Sequence, residues 1–223
     1  MSNNIEFYVS TISDDPKLIF DHLPIFKEYG MSGVHFDVMD GDFVPRLGLY
    51  PELLKSIKDS SDLPIEVHLM LSNPDKYIET FLEAGAQRVL VHFESLINPH
   101  KTLKVIRNLG LESCLVLNPE TEIHSIGNLI TETDSIMLMA IRPGIPGHPF
   151  IPETFEKLKT LKNWLNELES AIRIGVDGGV TFENAKKLYE YGADWLICGS
   201  GTIFKPGASL VDNISKLKNI FIT

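Results

Sequence analysis

Eight short apolar runs, each followed by a segment of helical period, recur along the chain with no low-complexity linker between them. The runs lie at 6–12, 33–39, 64–70, 88–93, 112–117, 135–141, 172–177 and 194–199. The helix-period segments lie at 16–29, 51–58, 74–84, 99–109, 122–131, 152–168, 182–191 and 210–218. Many of these open on proline, whose fixed φ and missing N–H suit the first turn of a helix. Strict β/α alternation predicts a parallel sheet. Eight units in 223 residues predict an α/β fold, a single (β/α)8 TIM barrel spanning residues 1–223. Periodicity alone does not separate a barrel from an open sheet, and the polar residues at the strand ends decide between them.

The second run continues into VHFDVMDGDFVP, 34–45. Side chains alternate along a strand, so His35, Asp37 and Met39 share one face while Phe36 and Val38 take the other. An imidazole and a carboxylate inside an apolar strand need a purpose, either a buried ion pair or a site. The third run, PIEVHLM, puts His68 and Met70 on one face, and the seventh, IRIGVDGG, ends on Asp177 before a Gly-Gly turn. Two histidines and two aspartates at strand ends form a constellation for one divalent metal cation. They come from the second, third and seventh strands, which ring one mouth in a closed barrel but would lie far apart in an open sheet. Such a donor set suits Zn, Fe(II), Mn or Co.

Charge and composition narrow the function classes. Thirty acidic against 20 basic residues give a net charge of −10, which argues against a nucleic-acid partner, because phosphate contacts need a basic face. No run approaches the roughly 18 apolar residues of a membrane span, and no leader precedes the first strand, so a cytoplasmic protein with no membrane partner is expected. A homo-oligomer is left open. Cys114 and Cys198 both sit in apolar runs, which predicts two reduced core thiols.

HFDVMDGDFVP, PIEVHLMLSNPDKYI, LNPET, MLMAIRPGIPGHPFIP, VDGGVTFENAKKL and GADWLICGSGTIF follow one another in the order and spacing of ribulose-phosphate 3-epimerases. The chain resembles that family over nearly its whole length. The resemblance implies a ribulose-phosphate-binding barrel, a small-molecule sugar phosphate as partner, and inversion at C3 of D-ribulose 5-phosphate to D-xylulose 5-phosphate in the pentose phosphate pathway. It implies His35, Asp37, His68 and Asp177 as metal ligands, with Asp37 and Asp177 also the catalytic acid/base pair. It further implies Ser10 and His68 as substrate contacts, and Met39, Met70 and Met139 as an apolar lid over the reacting carbon.

Glycine-rich turns follow three late strands: Gly144-Ile145-Pro146-Gly147, Gly178-Gly179, and Gly199-Ser200-Gly201. Turns at this end of a barrel form phosphate sites from backbone N–H groups and a short helix N-terminus. Here the chain departs from the family pattern. Arg142-Pro143-Gly144-Ile145-Pro146-Gly147-His148 stands where the family usually has Asn-Pro-Gly-Phe-Gly-Gly-Gln, and Asp42 and Arg46 replace its usual His and Asn. Arg142 is expected either to reach the phosphate or to pair with a carboxylate and shape the loop. The edits leave room for another ketose phosphate such as D-allulose 6-phosphate, or for a non-catalytic sugar-phosphate-binding paralogue, which retention of both Asp and both His disfavours. The related decarboxylase barrels carry Asp-x-Lys-x-x-Asp, whereas this chain has Asp37-Val38-Met39-Asp40 without the lysine.

Overall fold

A computed structural model describes residues 5–145 and 147–222. Its strands are β1 Glu6–Ser10, β2 Gly33–Met39, β3 Ile65–Met70, β4 Arg88–His92, β5 Glu112–Leu117, β6 Ser135–Met139, β7 Arg173–Asp177 and β8 Trp195–Cys198. They pair in chain order, all parallel, and β8 closes on β1 to form a barrel. The α-helices are α1 Ile19–Glu28, α2 Pro51–Ser60, α3 Ile78–Glu83, α4 Pro99–Asn108, α5 Thr154–Glu167, α6 Ala185–Glu190 and α7 Leu210–Asn219. Proline opens α2 and α4, and the side chains of Asn98 and Ser209 cap α4 and α7 by accepting the N–H of Lys101 and Asp212.

The crossover between β5 and β6 differs from the expected helix. Residues Ile123–Thr131 are 3-10 in character and broken at Gly127 (φ 48°, ψ −124°), a backbone conformation that side-chain-bearing residues avoid. Apolar spacing is kept, so Ile123, Ile126, Leu129 and Ile130 still bury against the barrel. At β1 the strand stops at Ser10, and Thr11–Ser13 form a 3-10 turn where the strand was expected to run on.

Alternation along each strand sorts side chains into two cores. One lies between the barrel and the helices and includes Phe36, Val67, Leu115 and Ile174. The other fills the barrel itself with Tyr8, Leu90, Cys114, Val116, Met137, Met139, Trp195 and Ile197. Both cysteines are free and buried. Among the described residues no helix is long and apolar enough to cross a membrane.

Candidate active site

The register explains how residues distant in sequence meet at the C-terminal mouth. Asp37 stands opposite His68 and Met39 opposite Met70 across β2 and β3, with His35 opposite Glu66 one layer lower. Ser10 is the register partner of His35, and Met139 that of Asp177. The end of β2 is fixed by its own loop. Asp40 accepts the backbone N–H groups of Asp42 and Phe43 (both 2.9 Å) on one oxygen and that of Ser72 (2.7 Å) on the other. The chain then doubles back, with Gly48 N–H donating to Met39 O (3.1 Å) and Leu49 N–H to Asp37 O (2.9 Å).

One oxygen or nitrogen from each of His35, Asp37, His68 and Asp177 falls within 4.8 Å of the others. His35 Nε2 lies 3.2 Å from Asp37 Oδ1 and 3.8 Å from Asp177 Oδ2, and His68 Nδ1 lies 3.3 and 3.6 Å from the same two atoms. His35 Nδ1 is hydrogen-bonded to Glu66 (2.6 Å), which in turn accepts from Arg88 (2.8 Å). Ser10 Oγ donates to Asp37 Oδ2 at 3.4 Å.

Burial acts against a charge on His35, yet Asp37, Glu66 and Asp177 together hold its pKa well above the usual value. Burial likewise opposes ionisation of Asp37, but His35 and then His68 hold that carboxyl below the usual range. Asp177 is pushed up, by burial and by the charges of Asp37 and Glu66, against the pull of His35 and His68. Two carboxyls this close ionise together only beside positive charge. His68 Nδ1 is buried and faces both without hydrogen-bond geometry to either, so its lone pair is available to a cation. The donor set and this orphaned nitrogen fit a divalent ion.

Above the four residues lies a cavity of about 320 Å³. Ser10, Asp37, Met39, Met70, Met139 and Asp177 line its floor and sides, while His35 and His68 lie beneath, fully buried. Gly144, Ile145, Gly147, Gly178, Gly179, Gly199 and Ser200 line it as well. Pro146 lies outside the described residues. After β8 the wall is built of turns, with Thr202 N–H donating to Gly199 O (3.0 Å), and no regular helix starts there. Gly144 has φ 79°, and a Cβ there would meet the Val44 side chain at 2.4 Å, so the loop after β2 reaches across the mouth to the loop after β6.

The two arginines flagged by sequence divide differently. Arg142 pairs with Glu120 (Nε–Oε1 3.0 Å), both largely exposed, and is absent from the cavity lining. Of its two expected roles the carboxylate pair is the one found. Arg46 lines the cavity and, among the described residues, makes no side-chain ion pair. Arg142→Asn is therefore expected to leave KM for substrate within about twofold of wild type, since exposed pairs contribute little. Steady-state kinetics checks this, and a large rise in KM would refute it. Residues that sequence reasoning passed over include Glu66, His92, His148, Phe150 and Thr181. Glu66 shares the face of His68 by parity, a signal that was present in the sequence. His148, Phe150 and Thr181 line the cavity from irregular loops, where no period marks them.

The chain matches the ribulose-phosphate 3 epimerase family over residues 6–204. It is 38% identical over 195 residues to the ribulose-phosphate 3-epimerase of Aquifex aeolicus, covering 87% of this chain and 86% of that protein. The Bacillus subtilis protein of the same name is 35% identical (86% and 88% covered), and that of Escherichia coli 36% (79% and 79%). Among solved structures, the tryptophan synthase α-subunit of Pyrococcus furiosus superposes with a TM-score of 0.69 at 15% identity, covering 98% of each chain. Phosphoribosyl anthranilate isomerase of Thermus thermophilus gives 0.69 at 15%, with 97% and 98% covered. These two likenesses speak to the barrel alone. With relatives this similar over most of its length, the chain belongs to the ribulose-phosphate 3-epimerase family.

Proposed function

We propose that this epimerase interconverts D-ribulose 5-phosphate and D-xylulose 5-phosphate by proton transfer between Asp37, Asp177 and the substrate's C3. The observation that carries the reading is the constellation of His35, Asp37, His68 and Asp177 under a cavity that the glycine turns also line. Removing the C3 proton leaves charge that spreads onto the adjacent carbonyl oxygen. A divalent cation held by these four side chains would act as a Lewis acid, stabilising that charge.

The chain's own residues account for the rest. One carboxylate accepts the proton and the other returns one to the opposite face, which inverts C3. Ser10, donating to Asp37 Oδ2, keeps that oxygen oriented. Met39, Met70 and Met139 supply an apolar wall that keeps water from the reacting carbon. Backbone N–H groups of Gly144, Ile145, Gly147, Gly178, Gly179, Gly199 and Ser200, which line the cavity, are donors for the phosphate. Arg46, a cation on the cavity wall with no ion pair among the described residues, adds charge to that recognition. Arg46→Gln is expected to raise KM about tenfold with kcat little changed, as loss of uniform binding does. An unchanged KM would remove Arg46 from the substrate contacts.

The reading is tested by incubating the protein with ketopentose and ketohexose phosphates in D2O and following C3 by NMR. The expected result is deuterium incorporation with appearance of the C3 epimer, fastest for ribulose 5-phosphate and lost after thorough chelation. Faster turnover of a ketohexose phosphate such as D-allulose 6-phosphate would reassign the substrate. Full activity in protein shown to be metal-free by elemental analysis would overturn the metal's part.

A further inference from the structure

His92, at the end of β4, lies outside the four-residue constellation yet touches it. Its ring is fully buried and stacks on His68 with centroids 4.9 Å apart and planes 18° apart, while Phe43 from the loop after β2 packs on it at 4.8 Å. The two Nε2 atoms of His68 and His92 are 2.8 Å apart. At that distance one nitrogen carries a proton and the other accepts it. The remaining nitrogen of His68, Nδ1, faces Asp37 and Asp177. If Nδ1 gives its lone pair to a cation, the ring proton of His68 belongs on Nε2, and His92 Nε2 is the acceptor.

That assignment fixes His92 as well. Its own proton must sit on Nδ1, and this atom approaches Glu94 Oε2 at 3.4 Å without hydrogen-bond geometry to it. Glu94 is held in turn by the backbone N–H of Asn118 (2.9 Å) and by the Thr121 hydroxyl. From this chain of contacts we propose that His92, backed by Glu94, is a positioning residue that locks His68 in its Nε2–H tautomer and so presents Nδ1 to the metal. Residues that orient a metal-ligating histidine through its second nitrogen change metal affinity without touching the ion. The inference rests on the reading that His35, Asp37, His68 and Asp177 hold a cation.

Metal affinity of His92→Phe, measured by competition with a coloured chelator using Zn(II) or Co(II), is the test. Phenylalanine keeps a ring between Phe43 and His68 but leaves the His68 Nε2–H with no acceptor. The expected result is affinity weakened on the order of 10–100-fold, with His92→Gln, whose amide oxygen can accept, restoring most of it. A merely structural role would lower the melting temperature of the metal-free protein and leave the Gln and Phe variants binding alike. Wild-type affinity in His92→Phe would overturn the proposal while leaving the metal reading intact. Failure of wild-type protein to bind either metal would overturn both. Should His92→Phe not fold, 15N NMR of zinc-loaded wild-type protein decides, because a proton on His92 Nε2 and none on His68 Nε2 reverses the assignment.

Discussion

Asp37→Asn and Asp177→Asn are each expected to lower kcat/KM for epimerisation by on the order of 10²–10⁴-fold or more, the range a positioned acid or base supplies. Each change removes a proton carrier and a charged donor of the same constellation, so the two effects will not add when the substitutions are combined. The failures should differ in kind. Asp37 is held below the usual carboxylate range by His35 and His68, whereas burial pushes Asp177 up. A bound cation would favour the ionised form of both, so in the proposed mechanism it is the opposite faces of C3 served by the two carboxyls that separate the variants. In D2O the variant that retains the base for one face should still wash the C3 proton out of one epimer without forming the other. Following each epimer separately by 1H NMR reads this directly. Wild-type turnover in either variant would sink the two-carboxylate assignment.

The barrel was legible because its signal is repetitive. Eight apolar runs at regular spacing leave few other arrangements, and the polar residues on β2, β3 and β7 then require one mouth. Face parity went further than was used. Glu66, His68 and Met70 share a face of one run, and Glu66 proves to be the partner of His35. His92 ends β4 as His35 and His68 lie near the ends of theirs, but with neither an aspartate two residues on, as after His35, nor a methionine, as after His68, the residue carried no sign of a site. The arginines could not be sorted from sequence. What turns Arg46 inward is the loop folding back through Gly48 and Leu49 onto the carbonyls of Met39 and Asp37, a contact that no local pattern encodes. Arg142 was flagged for its place beside the glycine turn, and what takes it outward is Glu120, 22 residues away in sequence. The break at Gly127 was missed for a related reason, since apolar spacing survives in a 3-10 segment even when the α-helical hydrogen bonds do not.

Arg88→Met is expected to destabilise the protein by about 3–5 kcal/mol, the cost of removing one partner from a buried ion pair. Inside the closed end of the barrel Arg88 donates to Glu66 (2.8 Å) and pairs with Glu112 (3.0 Å), and its guanidinium lies over Trp195 at 5.0 Å and Tyr8 at 5.5 Å. Glu66 is 1% exposed, so without Arg88 its carboxylate keeps, among the described residues, His35 as its one hydrogen-bond partner and cannot recover water. Methionine keeps apolar packing against the Trp195 ring, which confines the loss largely to charge. For a chain of this size that loss corresponds to a melting temperature lower by roughly 6–20 °C. Arg88→Met combined with Glu66→Gln should regain a good part of it, because a neutral amide costs far less to bury than an unpaired carboxylate. The double variant should nonetheless bind metal more weakly than wild type, since His35 then donates to an amide where a carboxylate had raised its basicity. Thermal unfolding of the single and double variants, with and without added Zn(II), separates the two effects. An Arg88→Met protein melting with wild type would show that Glu66 does not depend on Arg88 to stay buried.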